Sequence, residues 1–257
     1  MNDYRKFCMI RFFKKEFITK VIFLLAFLAF DAWSGNTDDE LITAADKGNL
    51  SVVNTILENQ KIGSKELNAA FLAAVNKGNS AIVERFLQAG ADVNLRADDG
   101  LSPLMRASRD GRDQMVEILL RAGADVNAVS EEDGTALMLA AEKDRRKVIT
   151  LLLDAQSDVN AKRADGMTAL MLAAQEGHQQ TIQILVNAKA EVDYQLENGA
   201  TALMLAVQHG NLRAVYSLIA ANANLNLKAG NGMTALMLAS RYHHREITEL
   251  LKKAGAR

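Results

Sequence analysis

The stretch GMTALMLAA (Gly166–Ala174) returns as GATALMLAV (Gly199–Val207) and as GMTALMLAS (Gly232–Ser240), each copy 33 residues after the one before. At helical spacing, Leu170, Ala173 and Ala174 make one apolar stripe. The hydroxyl of Thr168 stands where it can cap the first amides of that helix. The two small alanines let a neighbouring helix approach closely. Gly177 ends the helix, and HQQTIQILVNA (His178–Ala188) forms a second, with Ile182, Leu185 and Val186 inward. EVDYQLENG (Glu191–Gly199) is extended and ends in a turn, which predicts a hairpin projecting between units. One such unit has too little core to stand alone, so stacked neighbours must complete it.

The same period runs through most of the chain. Leu104, Leu137, Leu170, Leu203 and Leu236 form one column; Ala74, Ala107, Ala140, Ala173, Ala206 and Ala239 form a second. Phe86, Leu119, Leu152, Leu185, Leu218 and Leu251 form a third, and Val93, Val126, Val159, Val192 and Leu225 a fourth. Hydroxyls recur at Ser102, Thr135, Thr168, Thr201 and Thr234. SPLMRAS (Ser102–Ser108), TALMLAA (Thr135–Ala141 and Thr168–Ala174) and GADVN (Gly90–Asn94 and Gly123–Asn127) complete the pattern. A 33-residue period carrying these phrases resembles the ankyrin-repeat family over about residues 40–257. The resemblance implies an all-α fold, an α-solenoid of about seven helix-turn-helix units with projecting β-hairpin turns. The expected units are an irregular capping repeat at 35–65, then 66–98, 99–131, 132–164, 165–197, 198–230 and 231–257. Asp38, Asp39 and Glu40 suit the positive end of a first helix, and Lys252 and Lys253 keep the last one polar.

Departures from the family phrase are informative. Its helix-opening proline survives only as Pro103, the one proline of the chain; Ala136, Ala169, Ala202 and Ala235 replace it at little cost, alanine being the best helix former. The histidine after leucine becomes methionine at 105, 138, 171, 204 and 237. The glycine of GADVN becomes Gln156, Lys189 and Asn222, which removes an easy left-handed helix cap. Asp144 also replaces the mid-repeat glycine, and EEDGT (Glu131–Thr135) has its glycine displaced by one. Residues 129–160 are therefore expected to be the least stable segment.

The first 34 residues read differently. Arg5, Lys6, Arg11, Lys14, Lys15 and Lys20 precede the apolar run VIFLLAFLAF (Val21–Phe30), and small residues follow at Ala32 and Ser34. That order describes a secretory signal peptide over 1–34, cleaved after Ser34, with Met9 an alternative start. The run is shorter than the roughly 20 apolar residues a bilayer span needs, so stable membrane insertion after cleavage is not expected; an inner-membrane tether through an uncleaved signal is the alternative. Cleavage removes six basic and three acidic residues and leaves 24 Lys+Arg against 28 Asp+Glu, a net charge of −4. It also removes Cys8, the one cysteine. The expected address is exported, periplasmic or secreted.

Composition and motifs argue against chemistry. The acidic mature balance and the export signal disfavour nucleic acid. No Ser–His–acid set, HExxH, cysteine pair or GxGxxG loop is present, so no catalytic residue, cofactor or metal site is assigned and no enzyme activity is expected. His178 falls where the family places a structural histidine, and the adjacent His243 and His244 do not share a helix face. The methionine column offers soft sulfur to Cu(I), which makes a periplasmic copper or redox buffer the alternative function. One thioether per unit is too widely spaced for one ion to gather three, so packing is the favoured role.

The resemblance implies function by binding, through hairpin tips and the concave face of the first helices. Where the pattern is free to vary, the candidate partner-binding residues are Arg96, Leu101, Arg106, Arg109, Glu142, Lys162 and Met167, then Glu176, Gln195, His209, Met233, Arg241 and Tyr242. Leu101, Met167 and Met233 are expected to be exposed as an apolar centre with a charged rim, and arginine and tyrosine to act as anchors. The expected partner is a protein.

Overall fold

The computed structural model describes residues 39–130 and 134–257. The signal peptide expected over 1–34, Asp38, and Glu131 of the second projecting segment lie outside the described residues. Fourteen helices occupy the described chain. They are α1 (39–46), α2 (Leu50–Asn59), α3 (Ser64–Lys77), α4 (Ser80–Gln88), α5 (Pro103–Asp110), α6 (Asp113–Arg121) and α7 (Ala136–Glu142). Then follow α8 (Arg146–Asp154), α9 (Ala169–Glu176), α10 (Gln179–Asn187), α11 (Ala202–Gln208), α12 (Leu212–Ala220), α13 (Ala235–Arg241) and α14 (Arg245–Lys253).

Each odd helix from α3 onward packs on the even helix that follows it and on the next odd helix. The even helices from α2 to α14 likewise pack in sequence. Two rows of short helices thus share one continuous core, the arrangement of an α-solenoid. The periodic columns are what the rows bury: Leu104, Leu137, Leu170 and Leu203, the five alanines from Ala107 to Ala239, and Phe86 with the leucines from Leu119 to Leu251. Each buried leucine contributes about 1.5–3 kcal/mol of apolar burial. The valine column from Val93 to Val192 is half-buried. Leu236 is half-buried as well, because no further odd helix covers α13 among the described residues.

Hydroxyl caps fix where α5, α7, α9, α11 and α13 start. The Oγ of Ser102, Thr135, Thr168, Thr201 and Thr234 accepts the amide three residues on, at 3.2–3.4 Å. Between units, the DVN phrase is a ladder. The Asn94 amide donates to Asp92 Oδ1 (2.9 Å), while Asn94 Oδ1 accepts the Asp125 amide of the next unit (2.8 Å). Asn127 does the same to Asp158, Asn160 to Glu191, Asp193 to Asn224 and Asn226 to Arg257. The first rung comes from Asn68 on α3 to Asp92. α3, at 14 residues, is twice the length of α7, and its first turns stand where later units carry a projecting loop.

A second ladder seals the helix ends. Asn79, Arg112, Arg145, His178, Asn211 and His244 are spaced by 33 and donate to carbonyls at the end of the preceding unit's odd helix. Asn211 Nδ2 reaches both the Ala174 and Gln175 carbonyls, at 3.2 and 2.5 Å. These last carbonyls have no partner inside their own helix. His178 is thus a structural donor to the Glu142 carbonyl at 2.8 Å.

Two expectations need correction. The projecting segments are not β-hairpins: among the described residues there is no strand, only an isolated bridge between Val129 and Thr135. Each is a finger whose ends are joined by a backbone bond, as between the Ala97 amide and the Leu101 carbonyl (3.2 Å). In four of them a left-handed glycine at the tip, such as Gly100 (φ 71°), adds a second, here from the Gly100 amide to the Ala97 carbonyl (2.9 Å). The arms are too short to pair further. Losing glycine has also not lost the left-handed caps. Gln156 (φ 65°), Lys189 (φ 71°) and Asn222 (φ 61°) adopt the conformation of Gly90 and Gly123, and Asp144 and His243 that of the mid-repeat glycines. The stacked neighbours impose the backbone, and the side chains bear the strain.

Candidate interaction face

The fingers and the odd helices meet along one face, and its floor follows from the helix register. Four residues after each capping hydroxyl stand Arg106, Leu139, Leu172, Leu205 and Leu238. One turn on from the cap, this position points towards the fingers: Arg106 NH2 lies 2.5 Å from Asp99 Oδ1 of its own finger. Leu139, Leu205 and Leu238 are half-buried, and Leu172 is buried. Leu205 and Leu238 line a groove of about 280 Å³ between the last two fingers, walled by Asn198, Ala200, Asn231 and Met233 and edged by Gln208. This leucine stripe was missing from the residues singled out in the sequence. The signal was present, as the second leucine of TALMLA, but core and groove leucines look alike until the face is known.

The apolar centre expected at Leu101, Met167 and Met233 is not there. Met167 is 7% accessible, a correction with a local cause. Its carbonyl closes the finger by accepting the Arg163 amide (3.0 Å), and its own amide donates to Asp165 Oδ1 (3.0 Å). These bonds set the side chain at the foot of the finger, on the core. Leu101 and Met233 occupy the equivalent foot and are half-buried, Met233 within the groove wall.

Several charged and polar candidates are partly engaged in holding the scaffold. Arg96 donates to the Gly100 carbonyl (3.0 Å) and stiffens its finger. Lys162 Nζ sits 4.0 Å from the centroid of the Tyr194 ring, tying two fingers by a cation–π contact. Gln195 Nε2 donates to the Gly199 and Lys228 carbonyls, at 2.8 and 3.1 Å, and ties the next two. Arg109 pairs with Asp110 (3.4 Å), Glu142 with Lys143 (2.8 Å), and Glu176 accepts from Gln175 (3.1 Å). His209 donates through Nδ1 to the Leu205 carbonyl (3.0 Å) and remains exposed. Arg241 is exposed and meets no partner among the described residues. Tyr242 is 43% accessible and stacks on His244 with centroids 6.2 Å apart. Arg241 and Tyr242, at the end of the helix that carries Leu238, are therefore the freest of the candidate anchors.

Electrostatics on the face are mild. The Arg163 guanidinium hydrogen-bonded to Asp165 holds that carboxyl below the usual aspartate range, helped by the Met167 amide. No group of three or more His, Cys, Asp or Glu is placed to share a metal ion among the described residues. No described helix is long and apolar enough to cross a membrane. The methionine column fills the core: Met105, Met138, Met171 and Met204 are buried between successive odd helices, and Met237 is 49% accessible, no described odd helix following α13. Thioethers sealed in this way have no open coordination position to offer an incoming ion.

The family described as Ankyrin repeats (3 copies) matches the chain over residues 41–130, 70–163, 123–196 and 170–257, so the overlapping matches run through the whole described solenoid. A search of curated proteins found no match. Ankyrin repeats are in general protein–protein interaction modules. Helix pairs stacked in two rows, capped by Ser/Thr hydroxyls and joined by finger-to-finger ladders, agree with the family match: this chain belongs to the ankyrin-repeat family.

Proposed function

We propose that this is an exported, non-catalytic binding protein of about seven ankyrin units, α1 and α2 forming the first, which holds a protein partner on the fingers and the odd-helix face. The observation that carries the reading is the leucine stripe from Leu139 to Leu238, of which Leu205 and Leu238 line the groove, with Arg241 and Tyr242 at the end of the helix that carries Leu238. An apolar strip with an arginine and a tyrosine at the end of its last helix has the composition of an interface core and rim. Export rests on the sequence of residues 1–34, and the periplasm or the exterior is the proposed address. The copper-buffer alternative draws no support from thioethers buried in the core.

The test is affinity capture with the full chain, tagged at its C-terminus and expressed in its own cell, beside the variants Leu205→Glu, Leu238→Glu and Arg241→Glu. A partner held by the parent and weakened at least about tenfold by the variants, with unchanged circular dichroism, would support the face; an anchor residue is worth about 2 kcal/mol or more. Equal retention by all four proteins would refute it. Sequencing the purified chain tests export independently: a start at Gly35 is expected, and an intact N-terminus in the cytoplasm would overturn it.

A further inference from the structure

Two fingers carry Asn-Gly at their tips, Asn198–Gly199 and Asn231–Gly232, and both asparagines are exposed. Glycine has no Cβ to hinder attack of its amide nitrogen on the preceding side chain. We propose that Asn231 is a spontaneous deamidation site, and that Asn198, at the same point of the preceding finger, is protected by the finger stacked on it. The Gly232 amide nitrogen loses its proton and forms a bond to Asn231 Cγ. The side-chain nitrogen leaves as ammonia, giving a cyclic imide. One water then opens the ring at either carbonyl, to aspartate or to isoaspartate. One water enters, one ammonia leaves, and nothing is oxidised or reduced.

The two tips share their internal bonds. The Gly199 amide donates to the Leu196 carbonyl and the Gly232 amide to the Ala229 carbonyl, both at 2.8 Å. Asn198 Oδ1 accepts the Ala200 amide (2.9 Å) and Asn231 Oδ1 the Met233 amide (3.1 Å). What differs is cover. The Asn198 carbonyl accepts the Gly230 amide at 2.7 Å, and the Gly199 carbonyl accepts Gln195 Nε2 at 2.8 Å. A Cβ built on Gly199 would lie 2.8 Å from the Gly230 nitrogen, whereas one on Gly232 would meet nothing within 4 Å. The carbonyls of Asn231 and Gly232 meet no donor among the described residues. Rotating the dipeptide into the attacking geometry breaks the shared bond at both tips, and the bonds to Gly230 and Gln195 only at the first.

The product matters because Asn231 lines the groove. Conversion to aspartate places a negative charge on its wall without dismantling the finger. Asp99 and Asp165 already occupy the equivalent position, accepting the Leu101 and Met167 amides at 3.1 and 3.0 Å. Isoaspartate lengthens the backbone by one carbon and does not fit the closed tip.

The experiment incubates the full chain at mildly alkaline pH and body temperature and follows both peptides by mass spectrometry. Asn231 is expected to convert about 2- to 10-fold faster than Asn198, the factor that one hydrogen bond's net hold corresponds to. In denaturant the two rates should converge, and Gln195→Ala should bring the Asn198 rate towards that of Asn231 in the folded chain. Equal rates in the folded protein, a faster Asn198, or no conversion of Asn231 while the denatured chain converts, would each overturn the proposal.

Discussion

Lys189→Gly is expected to stabilise the solenoid, although it deletes a side chain and adds freedom to the unfolded chain. Lys189 sits at φ 71°, where a residue with a Cβ is strained by about 1–2 kcal/mol. Glycine removes that strain and returns about 0.5–1 kcal/mol to the unfolded state. The net gain is about 0.5–1 kcal/mol. No packing is lost: Lys189 is exposed, and at the equivalent Gly90 and Gly123 an added Cβ meets nothing within 4 Å. Asp144→Gly makes the contrast. Its φ is 52°, yet Asp144 Oδ1 accepts Thr181 Oγ1 at 2.7 Å, and Thr181 is fully buried. Orphaning that hydroxyl costs about 1–3 kcal/mol and cancels or outweighs the relief. Urea unfolding followed by circular dichroism should move the midpoint up for Lys189→Gly with an unchanged m-value, and not for Asp144→Gly. A melting-temperature rise of about 1–4 °C is expected for the former in a chain of this length. If Lys189→Gly is neutral or destabilising, or if both variants gain equally, left-handed strain is not what these positions carry.

The Ser157 hydroxyl is buried with no hydrogen-bond partner among the described residues, and other units carry alanine there (Ala91, Ala190, Ala223), so Ser157→Ala should stabilise by about 1 kcal/mol in the same assay. Asn211→Ala leaves the Gln175 carbonyl without its donor, while the Ala174 carbonyl keeps the Gly177 amide, and should cost about 1–3 kcal/mol while leaving the helical signal intact. Hydrogen exchange should show 129–160 opening first, since this unit combines Asp144, Gln156 and Ser157; finding it the most protected segment would reject that ranking. The Asp165 carboxyl should titrate below the ordinary aspartate range by NMR and return to it in Arg163→Ala. Because its folded value is lowered, its stabilisation is present at neutral pH and fades as pH falls through that value; it is small, since the side chain is about half exposed.

Much of the architecture was legible in the chain. A column repeating every 33 residues can stay buried in every unit only if the units stack, so the leucine and alanine columns predicted both helices and their rows. The hydroxyl caps were legible for the same local reason: a cap acts within four residues, and sequence spacing describes it completely. Methionine as packing was readable too, from one thioether per unit, a spacing too wide for a shared ion and suited to filling gaps between stacked helices.

What the tertiary structure alone decided is what each unit's neighbour does to it. Met171 is buried and Met237 is half exposed although both end the same GMTALM phrase, because α11 covers α9 and no described helix covers α13 in the same way. Gln156 and Lys189 hold left-handed backbones without glycine because flanking units fix the turn. His178, Asn211 and Arg145 share one role despite unrelated chemistry, because the stack presents each with the same open carbonyls. Leucine's side chain is equally suited to a core and to a groove, and only the register of helix against finger separates Leu170 from Leu205. Periodicity is a property of the chain and declares the fold; exposure is a property of the assembled stack, and the binding face is written in exposure.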